Sequence, residues 1–349
     1  MLIYLSTWPE EKEKAQKEAL DATKYSNRLF SYYYFVCVAD PIGNGKDANM
    51  KKPIKIFLDS GAYSAWTQRI QIDINDYIEF IKKHREHLEV YANLDVIQDA
   101  EATFKNQLIM ERAGLSPLPV YHYGSDIKWL KKYLDIGYDY IALGVAGNNT
   151  TDKLAPWLDD LFSNYLTDTD GMPIVKVHGF AVTNFSIMLR YPWYSVDSTT
   201  WILNGRTGNV MVPVLRNGEC AYDKPPYRVS VSNRSPDLAT NPDHITRMPK
   251  TVQNLILEYF SSKGYSLGES KWEKKKLDYE LQPGERWTDK KADRKKKGFG
   301  VIERVITPGL SNDYRKRDEL NIIYYADLEK NMPEWPWPFK LKERRGFRL

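Results

Sequence analysis

The feature that most constrains the fold is a strict alternation of short apolar runs with helix-patterned segments over the first 200 residues, in which several of the runs stop on a carboxylate. Lys55-Ile-Phe-Leu-Asp59, Val90-Tyr-Ala-Asn-Leu-Asp95 and Trp193-Tyr-Ser-Val-Asp197 each read as a β-strand ending on aspartate. Strand candidates lie at Leu2–Ser6, 32–38, 54–59, 90–95, 118–123, Tyr140–Gly144, 174–179 and 194–197. Helical patterns at 10–24, 74–87, 102–113, 127–136, 157–166 and 184–189 separate them. Strand–helix alternation favours a parallel sheet. Eight such units are the repeat number of a (β/α)8 barrel, with a doubly wound open sheet as the alternative. The expected fold class is therefore α/β, a TIM-like barrel over residues 1–225 followed by a basic C-terminal extension over 226–349.

The chain lacks features that would send it elsewhere. No apolar run is long enough to span a bilayer, and the N-terminus carries no signal-peptide pattern, so a cytoplasmic protein with no membrane partner is expected. No G-x-G-x-x-G follows the first strand, and Ile42-Gly-Asn-Gly-Lys46 has neither that fingerprint nor P-loop spacing, so it reads as a surface turn. Cys37 and Cys220 are the two cysteines, too few for a disulfide framework, and Cys37 reads as a small buried hydrophobe. His84-Arg-Glu-His87 has metal-compatible i,i+3 spacing but reads better as a charged helix face. No metal or cofactor is expected.

In a barrel the catalytic groups sit at the C-terminal strand ends. Those ends give Asp59, Asp95, His122, Gly144, His178 and Asp197. An aspartate there also serves as a cap, since its oxygens accept backbone N–H bonds. Three of them at one mouth point instead to paired-carboxylate chemistry at a sugar carbon, one group attacking or shielding an oxocarbenium-like centre and another moving the proton. A third can accept two N–H bonds from a guanine-type edge. His122 and His178 read as metal ligands, acids or substrate contacts. The residues by themselves lead as far as glycosyl chemistry on a barrel.

Beyond the strands, Thr207-Gly-Asn-Val-Met-Val-Pro-Val-Leu215 and Tyr227-Arg-Val-Ser-Val231 read as strands of a hairpin, and 251–260 as a helix. Residues 271–298 are polar and highly charged. Met332-Pro-Glu-Trp-Pro-Trp-Pro-Phe339 cannot be helix interior and should pack as an extended aromatic segment. Charge is uneven: residues 1–225 carry roughly −4 and residues 226–349 roughly +8, an asymmetry that suits a polyanion. Trp272, Trp287 and Phe299 interleave there with Lys274, Lys275, Lys276, Lys295 and Lys296, a stacking-plus-charge composition.

Four of these segments resemble motifs of the tRNA-guanine transglycosylase superfamily, in the same order. Asp59-Ser60-Gly61-Ala62-Tyr63-Ser64 resembles their Asp-Ser-Gly-Gly-Phe-Gln segment, and Asn93-Leu-Asp95 their base-pocket aspartate. Tyr140-Ile-Ala-Leu-Gly144-Val145-Ala-Gly147 is similar to their Leu-Ala-Val-Gly strand end, and Asp197-Ser-Thr-Thr-Trp-Ile-Leu-Asn-Gly205-Arg206-Thr-Gly208 to their Asp-x-x-x-Pro-Thr-Arg-x-Gly-Arg-x-Gly segment. Coverage is about residues 50–215. Within the superfamily the chain is most similar to the phage-type 7-deazaguanine DNA transglycosylases, on Phe57-Leu-Asp-Ser-Gly-Ala-Tyr-Ser-Ala-Trp66, Val120-Tyr-His-Tyr-Gly124, His178-Gly-Phe180 and Val196-Asp-Ser-Thr-Thr-Trp201.

That resemblance implies exchange of guanine in DNA for a free 7-deazaguanine base of the preQ0 kind. It implies Asp197 as nucleophile, Asp59 as acid/base, and Asp95 at the heterocycle edge. It places Ser60, Gly61, Tyr63, His122, Gly144, Val145 and His178 around the substrate, and Arg206 with the lysines above against the nucleic acid. The chain departs from the family in lacking the Cys-x-Cys-x-x-Cys…His zinc set, in replacing Pro-Thr-Arg by Thr200-Trp-Ile-Leu, and in carrying the His122 region where a base-pocket glutamine is expected. A zinc-less tRNA transglycosylase, a catalytically silent nucleic-acid-binding barrel and a hydrolytic glycosidase are the alternatives.

Overall fold

The computed structural model describes residues 1–7, 13–35, 54–144, 151–182, 184–216, 219–234 and 241–341. Cys37, the 42–46 segment, Val145 and Gly147 lie outside the described residues. By its internal contacts the chain forms two compact units, Met1–Thr200 with Ala326–Leu349, and Trp201–Tyr325. The sequence reading placed its division at 225/226.

The first unit is built on eight strands: β1 (Leu2–Ser6), β2 (Asn27–Ser31), β3 (Lys55–Asp59), β4 (Leu88–Tyr91), β5 (Val120–His122), β6 (Tyr140–Gly144), β7 (Lys176–Phe180) and β8 (Ser195–Ser198). Their order is β4-β3-β2-β1-β8-β7-β6-β5, every neighbouring pair is parallel, and β1 pairs with β8 through Tyr4 opposite Asp197. Helices α1 (Glu13–Ala22), α2 (Tyr32–Phe35), α3 (Ala62–Gln68), α4 (Ile74–His84), α5 (Ala100–Arg112), α6 (Lys128–Ile136), α7 (Thr151–Leu161) and α8 (Phe185–Arg190) connect the strands.

This is the expected α/β architecture, but the closing ladder of a (β/α)8 barrel is not formed. Between edge strands β4 and β5 the described residues form only an isolated parallel bridge, Ala92 just after β4 with Leu118 just before β5. The sheet is nonetheless curled: Tyr4, Leu29, Phe57, Ala92, Leu118, Val120 and Ala142, drawn from strand after strand, pack into one cluster. Strands covered on both faces explain the near-continuous apolar runs.

The outer layer follows from helix periodicity. Helix α4 buries Tyr77, Ile78, Ile81 and His84, and Asp73 caps it by accepting from the N–H groups of Asn75 and Asp76. Tyr77, Ile78 and Ile81 pack with Leu58, Tyr91 and Met110. His84 is therefore a core residue stacked on Phe80 at 4.5 Å, and not part of a charged face. Glu329 accepts bonds from Ile3 N–H (2.7 Å), Tyr25 Oη (2.9 Å) and Asn27 Nδ2 (2.9 Å), tying the end of the last helix to β1 and β2. Phe339 stacks on Tyr191 at 5.4 Å and Trp335 lies edge-on to Tyr194, so the proline-rich end is the extended aromatic segment its composition implied.

The second strand was misplaced by the sequence. The aromatic run from Tyr32 has high β propensity, yet Tyr32–Phe35 is helical and the strand is Asn27–Ser31. Arg28 hides it: this buried guanidinium sits in mid-strand, held by Asp21 at 2.7 Å and by the Tyr25 carbonyl at 3.1 Å. A paired charge in the core breaks the apolar pattern that marks a strand.

The second unit contains helix α9 (Thr200–Arg206, of which Trp201 onward belongs here), then β9 (Asn209–Val212), β10 (Val214–Arg216), β11 (Glu219–Ala221) and β12 (Tyr227–Ser230). Strand β9 pairs antiparallel with β12, and β10 with β11. Helix α10 (Lys250–Ser262) packs Ile256, Tyr259 and Phe260 against Val210, Val212 and Val229. The charged 271–298 stretch is structured: β13 (Glu269–Lys276), β14 (Glu285–Trp287), α11 (Lys291–Lys297) and β15 (Phe299–Thr307) form a three-stranded antiparallel sheet with β15 central and a helix beside it. Lysine-rich edge strands resist edge-to-edge pairing. Glu303 on β15 is fully buried and accepts from Arg234, Arg286 and Ser270 at 3.0, 2.9 and 2.8 Å. Helix α12 (Tyr314–Asn331, of which Ala326 onward belongs to the first unit) was not anticipated, because it is buried on more than one side and shows no single apolar stripe.

Candidate active site

Strand ends β1, β3, β6, β7 and β8, with the turn after β4, line a cavity of about 610 Å³. Asp59, Asp95 and Asp197 all face it, together with Ser6, Tyr63, His122 and Gly144. The volume falls in the usual range for small-ligand sites.

Asp59 is the last residue of β3 and is half-buried. The chain turns sharply beyond it at Gly61, whose φ of 77° is a left-handed conformation, and a Cβ there would lie 2.3 Å from Tyr33 Cβ. The turn aims the Gly61 N–H back at Asp59 Oδ2 (3.0 Å). Burial, reinforced by the negative charges of Asp95 and then Asp197, pushes the Asp59 carboxyl up to about 7, against the opposing pull of that N–H. Asp59 can thus hold or release a proton near neutrality.

Asp95 is not a strand terminus. Strand β4 ends at Tyr91, and Asp95 stands in the following turn, because the chain leaves β3 to bridge Leu118 at Ala92. Its Oδ1 accepts from Ser60 Oγ at 2.7 Å and its Oδ2 faces His122 Nε2 at 2.8 Å. The Cδ2 edge of the His122 ring faces Gly144, where a Cβ would stand 2.4 Å from His122 Cδ2. Gly144 is glycine because the imidazole occupies that space. Two of Asp95's four acceptor positions remain for a ligand.

Asp197 on β8 is buried and doubly anchored: Oδ2 accepts from Ser6 Oγ at 2.9 Å and Oδ1 from the Ala181 N–H at 2.7 Å. His178 lies behind it, fully buried, with Nε2 3.5 Å from Oδ1. His178 and Ser60 do not reach the cavity surface, whereas Tyr63 does and is exposed. Ser6 was missed by sequence reasoning. Its signal was the same as that of the aspartates, a polar residue closing an apolar strand, on the strand that pairs with β8.

The nucleic-acid candidates lie in the second unit. Arg206 is exposed at the end of α9, and Lys295 and Lys296 are exposed on α11. On β13 the two faces differ. Lys275 is paired with Glu273 at 2.8 Å and lies over Tyr279, while Trp272, Lys274 and Lys276 alternate onto the other face, where Lys274 covers the Phe299 ring at 5.0 Å. Among the described residues no cluster of three or more His, Cys, Asp or Glu side chains is arranged to hold a metal ion, and no helix is long and apolar enough to cross a membrane.

In comparison with known proteins, the chain matches no family model, no curated protein and no solved structure.

Proposed function

We propose that the first unit is a base-exchange transglycosylase that replaces guanine in DNA with a 7-deazaguanine base of the preQ0 kind through a covalent glycosyl–Asp197 intermediate. The observation that carries this reading is one cavity holding a carboxyl poised near pH 7, Asp59, and a doubly anchored carboxylate, Asp197. Two carboxyl groups in different environments are the working pair of glycosyl transfer. The curled parallel sheet serves as a barrel-type scaffold, with its C-terminal strand ends at the reaction.

In the first half-reaction Asp197 attacks C1′. The glycosidic C–N bond breaks, its electron pair leaves with guanine, and protonated Asp59 supplies the proton guanine needs. In the second, Asp59 carboxylate takes the ring N–H proton of the incoming base. The base attacks C1′, and the Asp197 ester bond breaks to restore the carboxylate. No proton is gained or lost over the cycle. Asp95 accepts from the N–H edge of the heterocycle, and Tyr63 flanks it. A base within a duplex is flipped out to reach such a site.

The basic C-terminal third and the Trp272–Lys274–Lys276 face of β13 support a nucleic-acid substrate, and the lack of the tRNA enzymes' zinc cysteines supports DNA over tRNA. The test is nucleoside mass spectrometry of DNA and tRNA incubated separately with the protein and preQ0. Deazaguanine in DNA is expected. Its appearance in tRNA alone refutes the DNA substrate, and its absence from both refutes base exchange with preQ0.

A further inference from the structure

Behind the Asp197 carboxylate runs a chain of buried polar groups. Tyr140 Oη lies 2.6 Å from Ser195 Oγ, Ser195 Oγ lies 2.6 Å from His178 Nδ1, and His178 Nε2 faces Asp197 Oδ1 at 3.5 Å. Adjacent strands create it: Tyr140 is on β6, His178 on β7 and Ser195 on β8, with His178 and Ser195 register partners. Phe57 and Phe180 hold the imidazole at ring separations of 4.4 and 4.7 Å. His178 Nε2 has no hydrogen-bond partner among the described residues, and the side chain is fully buried.

The direction of the chain follows from the groups in it. Burial keeps the Tyr140 phenol protonated, so it is able to donate across its 2.6 Å contact with Ser195. The Ser195 hydroxyl then spends its own proton on His178 Nδ1. Burial also favours a neutral imidazole, against the pull of Asp197, so the single ring proton resides on Nε2. The reverse tautomer would bring an imidazole lone pair and a carboxylate oxygen together without water, leaving two acceptors face to face.

We infer that Tyr140, Ser195 and His178 form a one-way donor chain that presents a neutral N–H to Asp197 Oδ1, making His178 a positioning residue that leaves Oδ2, beside Ser6, as the attacking oxygen. The inference rests on the reading of Asp197 as nucleophile. The 3.5 Å approach is long for a hydrogen bond and shortens as substrate closes the site. A neutral donor orients the nucleophile and leaves its negative charge in place, which a cationic partner would not.

Two experiments separate this inference from the functional reading beneath it. Nitrogen-15 NMR of histidine-labelled full-length protein without substrate reports the tautomer directly. Neutral Nε2–H is expected in the wild type, with mixed tautomers in Ser195→Ala. An Nδ1–H tautomer or an imidazolium at pH 7 overturns the donor chain whatever the enzyme does. In guanine exchange, His178→Phe keeps the ring stack without the donor and is expected to lower kcat about 10- to 100-fold with KM changed less than about 2-fold, while His178→Gln, whose amide reaches the Nε2 position, recovers most of the loss. Equal kcat in the Phe and Gln variants overturns the positioning role. A wild-type protein that exchanges no base in any nucleic acid overturns the functional reading, with the tautomer still deciding the chain.

Discussion

Asp59→Asn should make the protein more stable above neutrality while abolishing exchange. In the unfolded chain the Asp59 carboxyl ionises at its ordinary value of 3.8, and in the folded protein at about 7. Between these values the folded state keeps a proton that the unfolded state has lost. The contribution of Asp59 to stability is therefore fully present below about pH 4 and is lost as pH rises to about 7. The interval corresponds to about 4 kcal/mol, which water at the half-buried carboxyl lowers to about 2–4 kcal/mol. An amide fills the same volume and cannot ionise. Urea unfolding of wild type and Asp59→Asn at pH 5 and pH 8 reads the effect, because contributions from titrating groups remote from Asp59 cancel in the double difference. Because more than a third of the effect is already lost by pH 5, the variant should gain about 1–2.5 kcal/mol on the wild type between the two pH values. Parallel pH dependence of the two proteins would refute the assignment of a raised Asp59 pKa.

Other consequences follow from the same geometry. Asp95→Asn removes the larger of the two negative charges acting on Asp59, so the alkaline limb of the exchange profile should move to lower pH in rate measurements across pH 5–9. Gly144→Ala forces the His122 ring away from Asp95 and should cost about 1–3 kcal/mol in unfolding experiments, with weakened base binding. Glu303→Ala takes the carboxylate from Arg234 and Arg286, which stay partly exposed to water, and should cost about 1–3 kcal/mol, seen as a lower midpoint in thermal unfolding. Removing Lys274 and Lys276 together should lower the slope of log affinity for DNA against log salt by about 2, whereas Lys275→Ala, already paired with Glu273, should change it less.

Much of the fold was legible because parallel strands buried on both faces advertise themselves as apolar runs, and α4 carries its core contacts at helical spacing. β2 was not, because buried Arg28 reads as surface. Helix α12 lacks a stripe, and β13 looks like a solvated charge run since its lysines and its Trp272 face outward from an edge. At the site, Asp59 and Asp197 were visible as polar residues closing apolar strands, and Ser6, which was missed, carries the same signal. Long-range pairing was not legible: that His122 would meet Asp95, that Gly144 would make room for the ring, and that Tyr140, Ser195 and His178 would line up behind Asp197 depend on strand register, which no local pattern states.

The central claim is that Asp197 becomes covalently glycosylated. Intact-mass and peptide mass spectrometry of the full-length protein, quenched during turnover on a guanine-containing DNA oligonucleotide, tests it most directly. A DNA adduct is expected on the peptide carrying Asp197, formed by the wild type and absent from Asp197→Ala. An adduct mapped to Asp59, or base exchange undiminished in Asp197→Ala, would contradict it.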